Sequence, residues 1–459
     1  MRRGDPGPWI GGAVAALTLV LALGMSGTLS TWTTATVSNT LSRAGAATVA
    51  LTHAYSGGPC VGGVGVSTLT CPPTLGTAAS PPTTVSDTIT NNGTAALTQS
   101  VTGVSCGVVQ LANTASAADP LLPRNAVAFA RTDPWGGASA LTLSGSGYAT
   151  DPVGTTGTGL LGLLQSSFSI GVWFKAADAQ GGGLLSLSAS PANGTGTGAG
   201  ANPALWLDSS GKVNASVSTT GSRALITSSG TYSSGWHFAV LTVTSVLVIA
   251  SVTLYVDGVA QGTSGGLTLA TSVSGYWHLG WADFTGQSAG VVPTSTSFHG
   301  SLSGAFVVGS TALSSAQVTT LNGSASAAAF QSTVTAQGAS SLWMLGDTGT
   351  TTTSATLPTT MTAPCGQVQI GLVFATPAAT VATMSLASFA NGSARAVAAP
   401  AVGQSQTLTL TLTKASGYST DVAGLHLYVP LSFAYTSSPG TGWTQTLRWV
   451  GDPAEVFWA

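Results

Sequence analysis

Sugar cleavage, metal-assisted hydrolysis and phosphate binding each need a few residue types at fixed spacing. Glutamate occurs once in this chain, as Glu455 near the C-terminus. Between residues 123 and 347 the acids are Asp133, Asp151, Asp178, Asp208, Asp257, Asp283 and Asp347, and no two are adjacent or alternate on a strand. A retaining glycosidase needs two carboxyl groups about 5 Å apart, so the pattern points away from that chemistry. His53, His237, His278, His299 and His426 are scattered, with no His-Glu-x-x-His zinc motif. Gly157–Gly162 fits the dinucleotide fingerprint without a parallel βαβ unit around it. Gly103–Gly107 and Gly262–Gly266 fit the Gly-x-Ser-x-Gly elbow, but neither lies at a strand-to-helix turn. A chain rich in Gly and Ser produces such matches by chance. No catalytic residue is expected.

Binding chemistry is present. Tyr276, Trp277, Trp281 and Asp283, followed by Phe284, lie in one strand and the loop after it. Sugar sites use an aromatic face against the apolar side of a ring, with a carboxylate or amide taking the hydroxyls. Trp277 and Trp281 share one parity, Tyr276 and His278 the other, and one set is expected to be core. These four residues are the candidate ligand-binding set.

The elements that position them must be built with little charge. Lys and Arg number 11 and Asp and Glu 13, so 24 charged side chains make up 5% of 459 residues, against about 25% in an ordinary soluble domain. Three lysines and a net charge of −2 leave nothing to neutralise a nucleic-acid backbone. Charge-driven disorder is excluded by 44% hydrophobic residues. Amphipathic helical bundles need acids and lysines on their wet faces. What remains is a β-rich protein with faces of Ser, Thr, Asn and Gln.

Residues 1–31 read as an export signal: Arg2 and Arg3 precede the apolar run Trp9–Leu23, and small residues follow. That run is 15 residues long, short of the roughly 20 a spanning helix needs; the alternative is an uncleaved anchor, the one membrane contact expected. Cys60, Cys71, Cys106 and Cys365 all follow it, and an even count in an exported chain favours disulfides. Of the three pairings, Cys60–Cys71 with Cys106–Cys365 is preferred. The second pair rests on an internal echo, since Cys106 opens CGVVQL and Cys365 opens CGQVQI.

Phe168–Lys175 alternates strictly, with Phe168, Ile170, Val172 and Phe174 on one face and Ser169, Gly171, Trp173 and Lys175 on the other. Asp208–Lys212 reads as a hairpin turn, and Asp257-Gly258 is the pair a two-residue hairpin needs. Ser314 and Gln317 form a capping box for a helix over about 315–321. The ordered series Trp236-His237, Tyr255–Gly258, Tyr276–Gly280, Phe298–Gly300 and Leu313-Ser314 resembles the laminin-G-like, concanavalin A-like lectin/glucanase jelly rolls over residues 123–347. The resemblance implies two stacked antiparallel sheets and places His237 and His299 at structural positions. The glucanases of this fold draw their carboxyls from one strand bearing two Glu around an Asp, which this chain lacks. Some relatives bind calcium at the rim, where Asp178, Asp208 and Asp283 are loop candidates; without an acidic cluster no metal or other cofactor is expected.

Trp32–Leu51 is similar to the leading region of the camelysin and biofilm-fibre family of exported Gram-positive proteins, through Trp32, Asn39 and Leu41. Gly45 falls one residue late, and Thr33 and Thr34 replace the usual acid. Residues 32–118 and 360–459 also show strand periodicity, cleanest in LTLTLT and LHLYVPLSF. The expected architecture is therefore all-β: a signal helix (1–31), then a jelly roll (123–347) inserted in an outer β-sandwich formed by 32–118 and 360–459, or flanked by it in line. Two roles follow. One is an exported, non-catalytic module at the cell surface, binding a glycan or an extracellular protein at a loop edge. The other is a structural matrix protein that self-associates through its sheet edges.

Overall fold

The computed structural model describes residues 37–39, 42–44, 51–55, 68–71, 83–103, 107–116, 120–152, 154, 167–189, 200–270, 275–346, 366, 368–375, 378–390, 394–414, 424–428, 431–437, 444–449 and 455–456. Residues 1–31, the linker 348–360 and Cys60, Cys106 and Cys365 lie outside that set. Cys71 is placed only as the end of a strand, Thr68–Cys71.

The alternation at Phe168–Ala176 sets the middle of the molecule. Phe168, Ile170, Val172 and Phe174 are fully buried in one cluster with Leu205, Leu207, Leu241, Leu254, Trp277 and Trp343. Each such side chain contributes roughly 1.5–3 kcal/mol on burial. This cluster is the filling between two antiparallel sheets. One has eight strands, running in order Val259–Leu267, Ile249–Val256, His237–Val246, Phe168–Ala176, His299–Val308, Ala140–Ser144 and Val127–Arg131. Its eighth strand, Ala339–Trp343, pairs with the second half of His299–Val308. The other has seven: Ser222–Thr227, Val213–Thr219, Ala201–Leu207, Gly182–Ser188, Tyr276–Leu279, Tyr148–Thr150 and Leu122–Arg124. The fold is a concanavalin A-like jelly roll, as the sequence resemblance implies.

The opposite face of the central strand is also covered. Trp173 joins Phe238, Phe306, Phe330, Val318, Leu321 and Val334 in a second cluster, built by the helices Ser315–Asn322 and Ala327–Ala336. The expected capping box starts the first: Gln317 N–H donates to Ser314 Oγ at 3.3 Å, and Ser314 N–H donates to Gln317 Oε1 at 2.8 Å. The second helix, capped by Ser326, was not foreseen in the sequence. Gly171 lies under this layer, where a Cβ would come 2.5 Å from Cε1 of Phe306. Among the described residues no helix is long and apolar enough to cross a membrane.

Sheets outside the jelly roll draw strands from both sides of it in sequence. Thr83–Asn91 pairs with Ser405–Lys414 and with Leu51–Tyr55; Leu97–Gly103 pairs with Leu431–Ser437 and Arg395–Val397. The jelly roll meets this part at its Val127–Arg131 edge. There Asn125 N–H donates to Gly424 O at 2.8 Å, and His426 Nε2 lies 2.6 Å from Asn125 O.

Candidate functional site

The four residues singled out for ligand binding do not form an open platform. Trp277 points between the sheets, 2% exposed, with its ring 6.5 Å from that of Trp343. Parity puts Trp281 on the same side, but Gly280 takes φ 83 and breaks the alternation. Trp281 instead stacks beside His278, ring centroids 4.7 Å apart, and is 4% exposed. Asp283 is equally buried, its Oδ1 accepting from Thr285 N–H at 3.0 Å and Thr285 Oγ1 at 2.7 Å. Tyr276 is half-buried.

The reason is a strap. Residues 281–298 run across the outer face of the seven-stranded sheet, where Ala282 and Phe284 pack on Ala201, Ala204 and Trp206. Trp206 Nε1–H donates to Val291 O at 2.7 Å, and Gln287 Nε2–H to Ser216 Oγ at 2.8 Å. Arg223 donates to Ala201 O at 2.6 Å; burial lowers its pKa and the Asp283 carboxylate opposes that. As folded, the aromatics serve to close this face.

Open polar chemistry lies at one end of the eight-stranded sheet, where three neighbouring strands end. Register puts His237 opposite Phe174. Ala177 N–H donates to His299 O at 3.0 Å on the other flank. Each histidine holds an aspartate. His299 Nδ1 is 2.5 Å from Asp178 Oδ2, with the two side chains 35% and 33% exposed. The Gln180 N–H bond, foremost, and His299 hold the Asp178 carboxyl below its ordinary range against a desolvation that works the other way. His237 Nδ1 is 2.8 Å from Asp257 Oδ2, and its Nε2 is 2.7 Å from Ser234 O. Both partners are acceptors, so both ring nitrogens must donate and the imidazolium is the form that satisfies them. The Asp257 hydrogen bond accordingly raises the His237 pKa, against burial. The Ser234 carbonyl occupies the nitrogen at which a nucleophilic hydroxyl would have to sit. Lys175 and Gln180 stand exposed on this rim.

The loop aspartates considered for calcium are tied up locally. Asp208 accepts from Ser210 N–H, Ser210 Oγ, Lys212 N–H and Asn214 Nδ2 at 2.6–3.0 Å. Burial pushes its pKa up, and these bonds together outweigh it and bring it down. Among the described residues no three His, Cys, Asp or Glu side chains gather as a metal site. The His–Asp pairs were missed as pairs because Asp178 and His299 are 121 residues apart. His237 and Asp257 were missed as well, since they pair across a hairpin whose Leu247-Val248 turn has no Gly, Asn or Asp to mark it.

Residues 144–319 match the concanavalin A-like lectin/glucanases superfamily. No curated protein matches the chain. Solved structures resemble parts of the chain at low similarity. A heptameric pentraxin from Limulus polyphemus is 16% identical, with a TM-score of 0.27, covering 41% of this chain and 82% of its own. The sialidase module CBM40 of Ruminococcus gnavus bound to α2,3-sialyllactose is 14% identical, TM-score 0.28, covering 40% and 96%. A botulinum neurotoxin type C structure is 12% identical, TM-score 0.31, covering 48% of this chain and 51% of its own, so the match spans about half the toxin chain. Likenesses at these scores name no ligand.

Proposed function

We propose that this is an exported, non-catalytic binding protein whose jelly roll presents the His237–Asp257 and His299–Asp178 rim to a glycan or an extracellular protein. The observation that carries the reading is the half-exposed His299–Asp178 pair beside exposed Lys175 and Gln180, while Asp178, Asp208, Asp257 and Asp283 are each engaged in local hydrogen bonds. Polar groups held in fixed geometry at a sheet end suit hydroxyl-rich or peptide ligands. The Thr83–Asn91 and Ser405–Lys414 pairing supports reading the jelly roll as an insertion in an outer sandwich. Export is supported by residues 1–31 alone. Glycan-array screening of the full exported chain tests the ligand class. Binding weakened by Lys175→Ala and His299→Ala supports the rim; no glycan bound, or binding unchanged in both variants, counts against it. Mass spectrometry of the non-reduced exported protein reports its N-terminus and the Cys106–Cys365 bond.

A second reading, structural self-assembly, is favoured by one feature. The edge strand Val259–Leu267 carries no charged residue and exposes Val259, where edge strands usually carry a charge or proline against pairing. Light scattering at rising concentration tests it; a monomer throughout would remove it.

A further inference from the structure

Of the seven large hydrophobic side chains exposed among the described residues, four are consecutive: Val246 at 67%, Leu247 at 82%, Val248 at 62% and Ile249 at 58%. They form the tip of the hairpin between His237–Val246 and Ile249–Val256, closed by the Val246–Ile249 pair. The tip stands clear of the sheet. The last ladder pair with the neighbouring Phe168–Ala176 strand is Phe168–Val243, and Ser167 Oγ still accepts from Ser245 N–H at 2.9 Å, so the free tip starts at Val246 and Leu247 lies two residues, roughly 7 Å, past that contact. On the other flank the last pair is Ala250–Leu267. Three strands separate this hairpin from the Val127–Arg131 edge, where the jelly roll meets residues 424–426.

Two further features bear on what this tip meets. Leu247 sits at φ 57, a left-handed position where Gly or Asn is ordinarily used and a bulky side chain costs free energy. Strain retained at an exposed turn marks a side chain in use. Charge is also absent: no Asp, Glu, Lys or Arg occurs between Arg223 and Asp257, and Arg223 is turned onto the Ala201 carbonyl on the other sheet.

We propose that the Val246–Ile249 tip inserts into the interfacial layer of a lipid bilayer. Four side chains fall far short of the roughly 20–30 residues per side that a stable protein interface uses. A convex apolar wedge roughly 7 Å tall matches the 5–10 Å depth to which interfacial apolar groups enter a bilayer. Without neighbouring cations the contact has no preference for anionic lipid and no salt dependence. This inference is independent of the ligand bound at the rim, which lies at the opposite end of the hairpin.

The test uses the full chain with phosphatidylcholine vesicles, with and without phosphatidylserine. An environment-sensitive fluorescent amino acid is placed at position 248, and in a second protein at 259. Emission from 248 shifts to the blue on adding vesicles, equally for both compositions and in low and high salt, while 259 does not respond. Leu247→Asp lowers the vesicle-bound fraction roughly tenfold or more, with circular dichroism unchanged; Leu247→Asn, which suits the left-handed backbone, lowers binding without loss of stability. No shift at 248 overturns the proposal, including the case in which vesicles bind through residues 9–23 alone. So does an equal shift at 259, which marks unspecific adsorption, or a shift at 248 with protein concentration and no lipid, which assigns the tip to a second copy of the chain.

Discussion

Strand Ile249–Val256 is bounded by two tight turns, and the residue that opens each has a positive φ. Leu247 takes φ 57 at one end and Asp257 takes φ 53 at the other. Asp257 is held from several sides: its Oδ1 accepts from Phe238 N–H at 2.9 Å, its Oδ2 meets His237, and its own N–H donates to Phe238 O at 2.8 Å. Gly258 completes this turn at φ 80. Leu247 is 82% exposed and followed by another exposed apolar residue. A positive φ at the opening residue therefore leaves the chemistry of the turn open. One turn recovers its conformational cost through local hydrogen bonds within the fold, and the other recovers little there.

The sharpest way to break this contrast is to remove the carboxylate. Asp257→Ala strips Phe238 N–H and His237 of their acceptor and should cost about 2–3 kcal/mol, measured by denaturant unfolding; a cost near zero would mean the two turns are equivalent. Next comes pH. The folded pKa of His237 is raised above its unfolded value, so its stabilisation is complete below about pH 6.5 and is lost as pH rises through the folded value. The difference between the wild-type and Asp257→Asn stability curves should shrink across that window, and parallel curves would contradict the pairing. At the other turn the sign reverses: Leu247→Gly should stabilise the fold by about 0.5–1 kcal/mol, because glycine takes a positive φ without steric cost. Val248→Asn should leave stability within about 0.5 kcal/mol while weakening vesicle binding, and a large loss of stability would show that the tip is packed after all.

Much of the fold is legible where a short-range rule has no competitor. The alternation of Phe168–Phe174, the Asp257-Gly258 turn and the Ser314–Gln317 box are each decided within a few residues, and each forms as expected. The placement of the candidate aromatics was read less well. Counting by twos through Tyr276–Asp283 assumes an unbroken strand, and the positive φ of Gly280 ends that count, placing Trp281 against His278 at the start of the strap. Val246–Ile249 gives no signal at all. Four apolar residues without Gly, Asn or Asp leave nothing local to mark the turn.

Composition by itself determined that this chain is built of β-sheet and that glucanase carboxylates are missing from the jelly roll, because both follow from which residues are present and with what period. Only the tertiary structure decided which polar groups meet and which apolar ones stay outside. Asp178 reaches His299 because the Phe168–Ala176 and His299–Val308 strands are neighbours, and Leu247 is exposed because its hairpin outruns both strands beside it. Pairing and protrusion depend on how far each strand extends past the next, and a one-dimensional pattern carries no measure of that.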